Sequence, residues 1–112
     1  MTRCCQVTTA VAEEAAAADM ADTLVAERLA ACAQVLGPMR SAYRWEGEVR
    51  VALEWLVVAK TTEARLSELT SRIRALHSYD VPEIVTLAIA AGDPAYLRWI
   101  RDETTPLPPE LP

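Results

Sequence analysis

The chain has 112 residues, a length that suits one domain and leaves no room for a second of ordinary size. Its 11 basic and 16 acidic residues give a net charge of −5 and form no basic stripe, so we expect no binding to nucleic acid through bulk charge. The sequence contains no run of 18 apolar residues, so we expect no membrane-spanning helix. The N-terminal residues lack the apolar segment of a signal peptide, which favours a cytoplasmic location.

The cysteine content argues against a disulfide framework. The three cysteines, Cys4, Cys5 and Cys32, are odd in number and lack the C-x-x-C spacing of zinc sites. Reduced thiols agree with a cytoplasmic protein. Cys4 and Cys5 could supply soft ligands to copper, but adjacent strand residues point to opposite faces, and strand packing is the preferred explanation for both.

The first two predicted elements are a strand and a long helix. Residues 4–9 are short and β-leaning, and Thr8 or Thr9 is placed to cap the helix that follows. Alanine dominates from 11 to 32 without Gly or Pro, which predicts a helix over that range. On its helical wheel Cys32 lies on the apolar arc, and Arg28 lies there too with a stem that could snorkel.

A long hairpin is predicted next. Residues 34–46 form a strand bent at Gly37-Pro38, and Glu46-Gly47 is a two-residue turn. The strand 48–60 carries apolar residues at odd positions, with an even face that is polar first and apolar later. This switch suits a long strand that leaves the core or reaches a partner subunit.

The last third of the chain predicts two helices around a strand. Thr61 or Thr62 would cap a helix whose core stripe is Leu66, Leu69, Ile73 and Leu76. Residues 77–81 form a loop before Pro82, and 83–90 form a buried strand. Asp93 and Pro94 begin a third helix with apolar positions Tyr96, Trp99 and Ile100.

The predicted order, β-α-β-β-α-β-α, is that of an α+β ferredoxin-like βαββαβ sandwich with a C-terminal helix. Two helices would cover one face of a four-stranded antiparallel sheet. The third helix is too short to cover the opposite face, so we expect the chain to form an oligomer.

Five segments, spaced in order along the chain, resemble the CutA divalent-cation-tolerance family. They are Leu29-Ala-Ala-Cys32, Ser41-Ala-Tyr-Arg-Trp-Glu-Gly47, Lys60-Thr-Thr62, His77-Ser-Tyr-Asp-Val-Pro-Glu-Ile84 and Gly92-Asp-Pro-Ala-Tyr-Leu-Arg-Trp-Ile100. The resemblance implies a single ferredoxin-like domain over 1–103, followed by a Pro-rich tail over 104–112. It also implies a homotrimer, similar to that of the PII signalling proteins, whose long hairpins pair between subunits.

The same resemblance implies binding of copper or another divalent cation. Proposed ligands in the family are a Cys ending the first strand and a His-His pair before the Tyr-x-x-Pro-Glu stretch. Here the strand ends at Thr8-Thr9 and the pair is Leu76-His77, so Thr9 and Leu76 stand at proposed ligand positions and only His77 carries over. We take His77 and Cys32 as candidate metal ligands. The alternatives are a hydrogen-bonding His at a helix end and a buried Cys acting as a small hydrophobe.

A second set of residues could line a cleft for a small ligand. It comprises the only lysine, Lys60, together with Glu83, Trp45, Tyr96 and Trp99. In the family such aromatic residues border a cleft between subunits. The alternatives are a strand-end ion pair of Lys60 with Glu63 or Glu83, and aromatics that serve the core or an interface.

Three functional hypotheses follow. The first is a non-catalytic homotrimer that binds copper or another divalent cation, or takes part in the response to such metals. The second is a PII-like signalling or scaffold trimer that binds a small ligand or an unknown protein partner at its subunit clefts. The third is an enzyme using Lys60 and Glu83, but with no Gly-rich phosphate loop and no nucleophilic triad the sequence predicts no enzyme.

Overall fold

The computed structural model describes residues 1–108 and has the predicted α+β order, with four strands and three helices in that part of the chain. The strands are β1 (Cys4–Val11), β2 (Cys32–Trp45), β3 (Glu48–Thr62) and β4 (Val85–Ala88), and the helices are α1 (Glu14–Ala26), α2 (Leu66–Leu76) and α3 (Pro94–Thr104). A single 3-10 turn, Glu63–Arg65, links β3 to α2. Residues 109–112 of the predicted Pro-rich tail lie outside the described residues.

The four strands form one antiparallel sheet in the order β2-β3-β1-β4, as expected for a ferredoxin-like sandwich. Alternation along the central strands sends one set of side chains to each face. On one face Val7 and Val57 pack with α1 and α2 in a buried core completed by Leu24, Leu69 and Ile73. On the other face α3 covers only one end of the sheet, where Ile100 packs near Cys4.

The β2–β3 hairpin extends beyond this core. The pairing between β1 and β3 ends at Val11 and Trp55, so residues 48–54 of β3 pair with β2 alone. We call residues 39–54 the hairpin arm. Three aliphatic side chains of the arm are largely exposed, Val49 at 65%, Val51 at 52% and Leu53 at 59%. The prediction that this strand leaves the core is confirmed, and the arm offers apolar surface to a neighbour.

The predicted extent of α1 is wrong, because the helix ends at Ala26 and Cys32 begins β2. Arg28 adopts a left-handed conformation with φ of 59°, and the backbone N–H groups of Leu29 and Ala30 both donate to Leu24 O. The Arg28 side chain donates to the carbonyls of Asp102 and Thr105 at the end of α3. It therefore satisfies carbonyl groups at another helix's C-terminus rather than snorkelling along α1.

The predicted threonine caps make no capping hydrogen bonds, although Thr62 stands at the N-cap of the 3-10 turn that leads into α2. The N-cap of α1 is Glu13, two residues beyond the end of β1, and its side chain makes no capping bond. Thr9 is instead fully buried within β1. Thr61 Oγ1 donates to Leu29 O at 2.7 Å, so this hydroxyl fixes the turn after α1 instead of beginning α2. Both threonines are drawn into the sheet because β1 and β3 run further than their sequences suggest.

The fourth strand is shorter and more exposed than predicted. Only Val85–Ala88 is strand, and all four residues are exposed at the edge of the sheet. The start of α3 matches the prediction: Pro94 is the first helical residue, and Tyr96 N–H donates to Asp93 Oδ2 at 3.1 Å. Within α3 Ile100 is buried, whereas the predicted apolar positions Tyr96 and Trp99 are 42% and 41% exposed.

Candidate functional site

A groove of about 690 Å³ lies between the hairpin arm and the loop that follows α2. We call it the hairpin groove. Its aromatic walls are Tyr43 and Trp45 from β2 and Tyr79 from the loop. Its ionisable lining groups are Arg50, Glu54, Asp80 and Glu83. A groove of this volume with aromatic walls and a few charged groups has the size and character of a small-molecule site.

The loop is fixed to the arm by Tyr79. Its hydroxyl donates to Glu54 Oε2 at 2.9 Å, across the groove from β3. Burial, together with this bond and the negative charge of Glu54, raises the pKa of Tyr79 to about 12. The phenol therefore stays protonated at neutral pH and acts as a hydrogen-bond donor.

His77 positions the same loop through both of its ring nitrogens. Nδ1 accepts from the backbone N–H of Tyr79 at 3.1 Å, and Nε2 donates to Ala10 O at 2.8 Å. The tautomer with hydrogen on Nε2 follows from these partners. The His77 and Tyr79 rings lie 4.9 Å apart. Because a metal ligand needs a free nitrogen lone pair, His77 could bind a metal only by releasing one of these backbone contacts.

The other positions tied to the metal hypothesis do not complete a site within one chain. Thr9 is buried, and Leu76 has no donor atom. Cys32 lies on β2, close enough to Tyr96 to raise the pKa of its phenol. Residues 1–108 contain no group of three His, Cys, Asp or Glu side chains placed to hold a metal ion. The family's proposed ligand set therefore does not fit a single chain of this protein.

Four of the predicted site residues meet instead at the end of the sheet covered by α3. Cys32 pairs with Lys60 across β2 and β3, so their side chains share a face. Burial and the contact with Cys32 raise the pKa of Tyr96, whose ring stacks on Trp99 at 5.6 Å between centroids. We call Cys32, Lys60, Tyr96 and Trp99 the α3 cluster.

Lys60 in this cluster has a partner that the sequence analysis did not name. Its Nζ donates to Gln34 Oε1 at 3.1 Å, two residues along β2 from Cys32. The alternative of an ion pair with Glu63 or Glu83 is wrong. Glu63 lies near Arg3 instead, at 3.5 Å, and Glu83 lies in the hairpin groove.

The five predicted cleft residues are thus divided between two places. Trp45 and Glu83 line the hairpin groove, whereas Lys60, Tyr96 and Trp99 belong to the α3 cluster. Lys60 is six positions from Glu54 on β3, a distance of about 20 Å along an extended strand.

Five of the aromatic and charged groove residues were not predicted as site residues: Tyr43, Arg50, Glu54, Tyr79 and Asp80. Glu54 carried one available signal, since it is a single carboxylate between Leu53 and Trp55 in an otherwise apolar part of β3.

The strand order, the α1 and α2 layer and the long hairpin define a ferredoxin-like α+β protein with an extended arm. The chain belongs to the CutA1 divalent ion tolerance protein family, whose model matches residues 5–103. It is 47% identical to a divalent-cation tolerance protein CutA of Thermus thermophilus over 94 residues, 84% of this chain and 91% of that protein.

Plant members are more distant in sequence but similar in structure. The chain is 40% identical over 85 residues to a rice protein named CutA 1, chloroplastic, and spans about half of its length, with 76% of this chain and 48% of the rice protein covered. A crystal structure of CutA1 from Oryza sativa superimposes with a TM-score of 0.90 at 36% identity, covering 93% of this chain and 95% of that one. The family description is that of a tolerance protein and names no catalytic activity.

The helices of residues 1–108 are too short or too polar for any of them to cross a membrane.

Proposed function

We propose that this protein serves divalent-cation tolerance without catalysis, as a homotrimer that binds copper or another divalent metal ion. Membership of the divalent ion tolerance family, over residues 5–103, is the observation that carries the proposal. The three cysteines are free thiols, which suits a reducing compartment, and we place the protein in the cytoplasm.

Because no three-ligand group exists within residues 1–108, metal ligands would come from more than one subunit. His77 and Cys32 are the candidate contributors. A trimer presents each of them three times, and the exposed apolar side of the hairpin arm gives a physical reason for subunits to associate.

The test is a titration of the reduced protein with Cu(I) and Cu(II) in the presence of a competing chelator. His77→Ala and Cys32→Ala are compared with the wild type, and Asp19→Asn serves as a control on the exposed side of α1. Saturable binding that falls in either ligand variant and survives in the control supports the proposal. Weak binding of equal strength in all four proteins contradicts it.

A second candidate function is a PII-like signalling or scaffold trimer that binds a small ligand or a protein partner. The observation that favours it is the hairpin groove, whose aromatic and charged lining is preorganised by His77 and Tyr79. This candidate predicts ligand or partner binding that needs no metal and falls in Trp45→Ala. Lys60→Ala tests whether the α3 cluster takes part.

A further inference from the structure

We infer that the hairpin groove is a binding site for an organic cation, an alkylammonium or guanidinium compound, rather than for a metal ion or an anion. The inference gives a ligand class to the second candidate function. It does not depend on the metal proposal. It rests on the charge of the groove, on its aromatic walls and on the spacing of its carboxylates.

The charge of the groove is negative. Three carboxylates line it, those of Glu54, Asp80 and Glu83, against one guanidinium, that of Arg50. The Arg50 charge is already opposed, because its Nη2 lies 3.7 Å from Glu48 and 4.0 Å from Glu46. Within residues 1–108 no Arg, Lys or His nitrogen lies within 4.0 Å of the Asp80 or Glu83 carboxylate. Their charges are available to a ligand, and an anion would be repelled.

The aromatic walls favour a cation with an apolar body. Trp45, Tyr43 and Tyr79 are 41%, 43% and 37% exposed, so each presents part of its ring to the groove. The negative face of an aromatic ring attracts an ammonium or guanidinium group, and tryptophan does so most strongly. Hydrated metal ions gain little from such a wall, whereas an organic cation covers it with its carbon skeleton.

The spacing of the carboxylates separates an organic cation from a metal. A metal ion needs several ligand atoms at about 2.0–2.6 Å from one point. The groove carboxylates do not converge in this way, since residues 1–108 hold no metal-competent group of three. Carboxylates distributed around a groove of about 690 Å³ can contact the separate ammonium groups of a polyamine or the delocalised charge of a guanidinium.

The walls are also held in place before any ligand arrives. Tyr79 is fixed by its bond to Glu54 and by the contact of its backbone with His77. His77 is in turn bonded to Ala10 of β1. Preorganisation of this kind lowers the entropy lost on binding. His77 is thus a positioning residue for the groove.

The test is calorimetric titration of the full-length protein, at low ionic strength, with spermidine, agmatine and tetramethylammonium. Inorganic phosphate is the anionic probe and Cu(II) the metal probe. Asp80→Asn and Glu83→Gln remove one charge each with little change of shape, and Trp45→Ala removes the aromatic wall. Asp19→Asn on α1 is the matched control for loss of a carboxylate outside the groove.

We expect at least one organic cation to bind and phosphate not to bind. Each charge variant should weaken binding by about 2- to 5-fold. Trp45→Ala should weaken it by about 2- to 30-fold, and the control should not change it. Added salt should lower the affinity.

Absence of binding by all three cations would overturn the inference. It would also be overturned by equal affinity in the three groove variants and the wild type, or by phosphate binding as tightly as the amines. Copper binding that is lost in Glu83→Gln, without amine binding, would assign the groove to a metal instead. Failure of the metal proposal is a separate outcome: the protein would bind the amines but would not bind copper.

Discussion

Replacement of Leu53 by Asp on the hairpin arm should prevent formation of the proposed trimer. Leu53 is 59% exposed in the single chain and lies on the same side of β3 as Val49 and Val51. Complete burial of such a side chain is worth about 1.5–3 kcal/mol, so covering the exposed part in an assembly is worth roughly 1–2 kcal/mol. An aspartate there also has to be desolvated, which costs about 2 kcal/mol or more.

These effects act in each subunit. A loss of about 3 kcal/mol in each of three subunits lowers the overall association constant by roughly six powers of ten, at tenfold for each 1.4 kcal/mol. Light scattering after size exclusion at micromolar concentration should give about 37 kDa for the wild type, three times the 12.3 kDa of one chain. Leu53→Asp should give a mass near that of one chain. Its circular dichroism spectrum should match that of the wild type, which shows that the subunit still folds.

Val25→Asp is the matched control, since Val25 is a 41% exposed apolar residue on α1, away from the arm. It should leave the mass at that of the trimer. The reasoning is refuted if the wild type is monomeric at these concentrations, or if Leu53→Asp remains trimeric.

Three further variants test the fold and the groove. Ile73→Ala should lower the free energy of unfolding by about 2–5 kcal/mol in a urea titration, because it leaves a cavity where a fully buried side chain joins α2 to the sheet. Arg28→Ala should cost about 1 kcal/mol in the same assay, because it leaves two carbonyls at the end of α3 without their donor. Glu54→Gln should lower the pKa of Tyr79 from about 12 towards 10 in an ultraviolet titration, because it removes the negative charge and replaces the carboxylate acceptor.

The sign of the Tyr79 effect on stability follows from its raised pKa. The folded pKa of about 12 exceeds the ordinary value of 10.0, so the contribution of the protonated phenol is complete below pH 10 and is lost as the pH rises towards 12. Glu54→Gln should narrow the pH range over which this contribution to stability is lost, because it lowers the folded pKa of Tyr79. Arg98→Ala, at an exposed position of α3, is the control for Arg28→Ala, and Arg74→Ala, on the exposed side of α2, is that for Ile73→Ala. If the control variants lose as much unfolding free energy as Arg28→Ala and Ile73→Ala, the explanations given for those two variants are wrong. A Tyr79 pKa that stays at about 12 in Glu54→Gln would contradict the role given to the Glu54 carboxylate.

Much of the fold could be predicted because local patterns and tertiary structure agree there. The central core positions of α2, Leu69 and Ile73, the turn at Glu46-Gly47 and the Asp93-Pro94 helix start each carry a local physical signal that the structure retains. Leu76, predicted as the last core position of α2, is 39% exposed because the helix ends there. The end of α1 carries no such local signal, because no glycine stands where the chain takes the left-handed conformation after the helix. Arg28 takes up the left-handed conformation, and its side chain binds α3, more than 70 residues further along the chain.

The site was less predictable because it too depends on contacts between residues that are far apart in the sequence. Residue types pointed to His77, but which atoms its nitrogens contact depends on how close Ala10 of β1 lies to the loop after α2. The division of the cleft residues between two places also depends on register, which puts Cys32 opposite Lys60 and Trp45 opposite Glu48. Composition and spacing carry no information on such pairings.

The central position of β1 has a consequence for folding during synthesis. β1 is made before both of its partner strands: Cys5 pairs with Thr61 of β3 on one side and with Ala88 of β4 on the other. The β2–β3 hairpin, by contrast, can close from neighbouring residues. A growing chain therefore presents the apolar arm before the sheet has its second edge. We expect β1 to complete its pairing only once β4 has been made, so the exposed apolar arm precedes the finished sheet during synthesis.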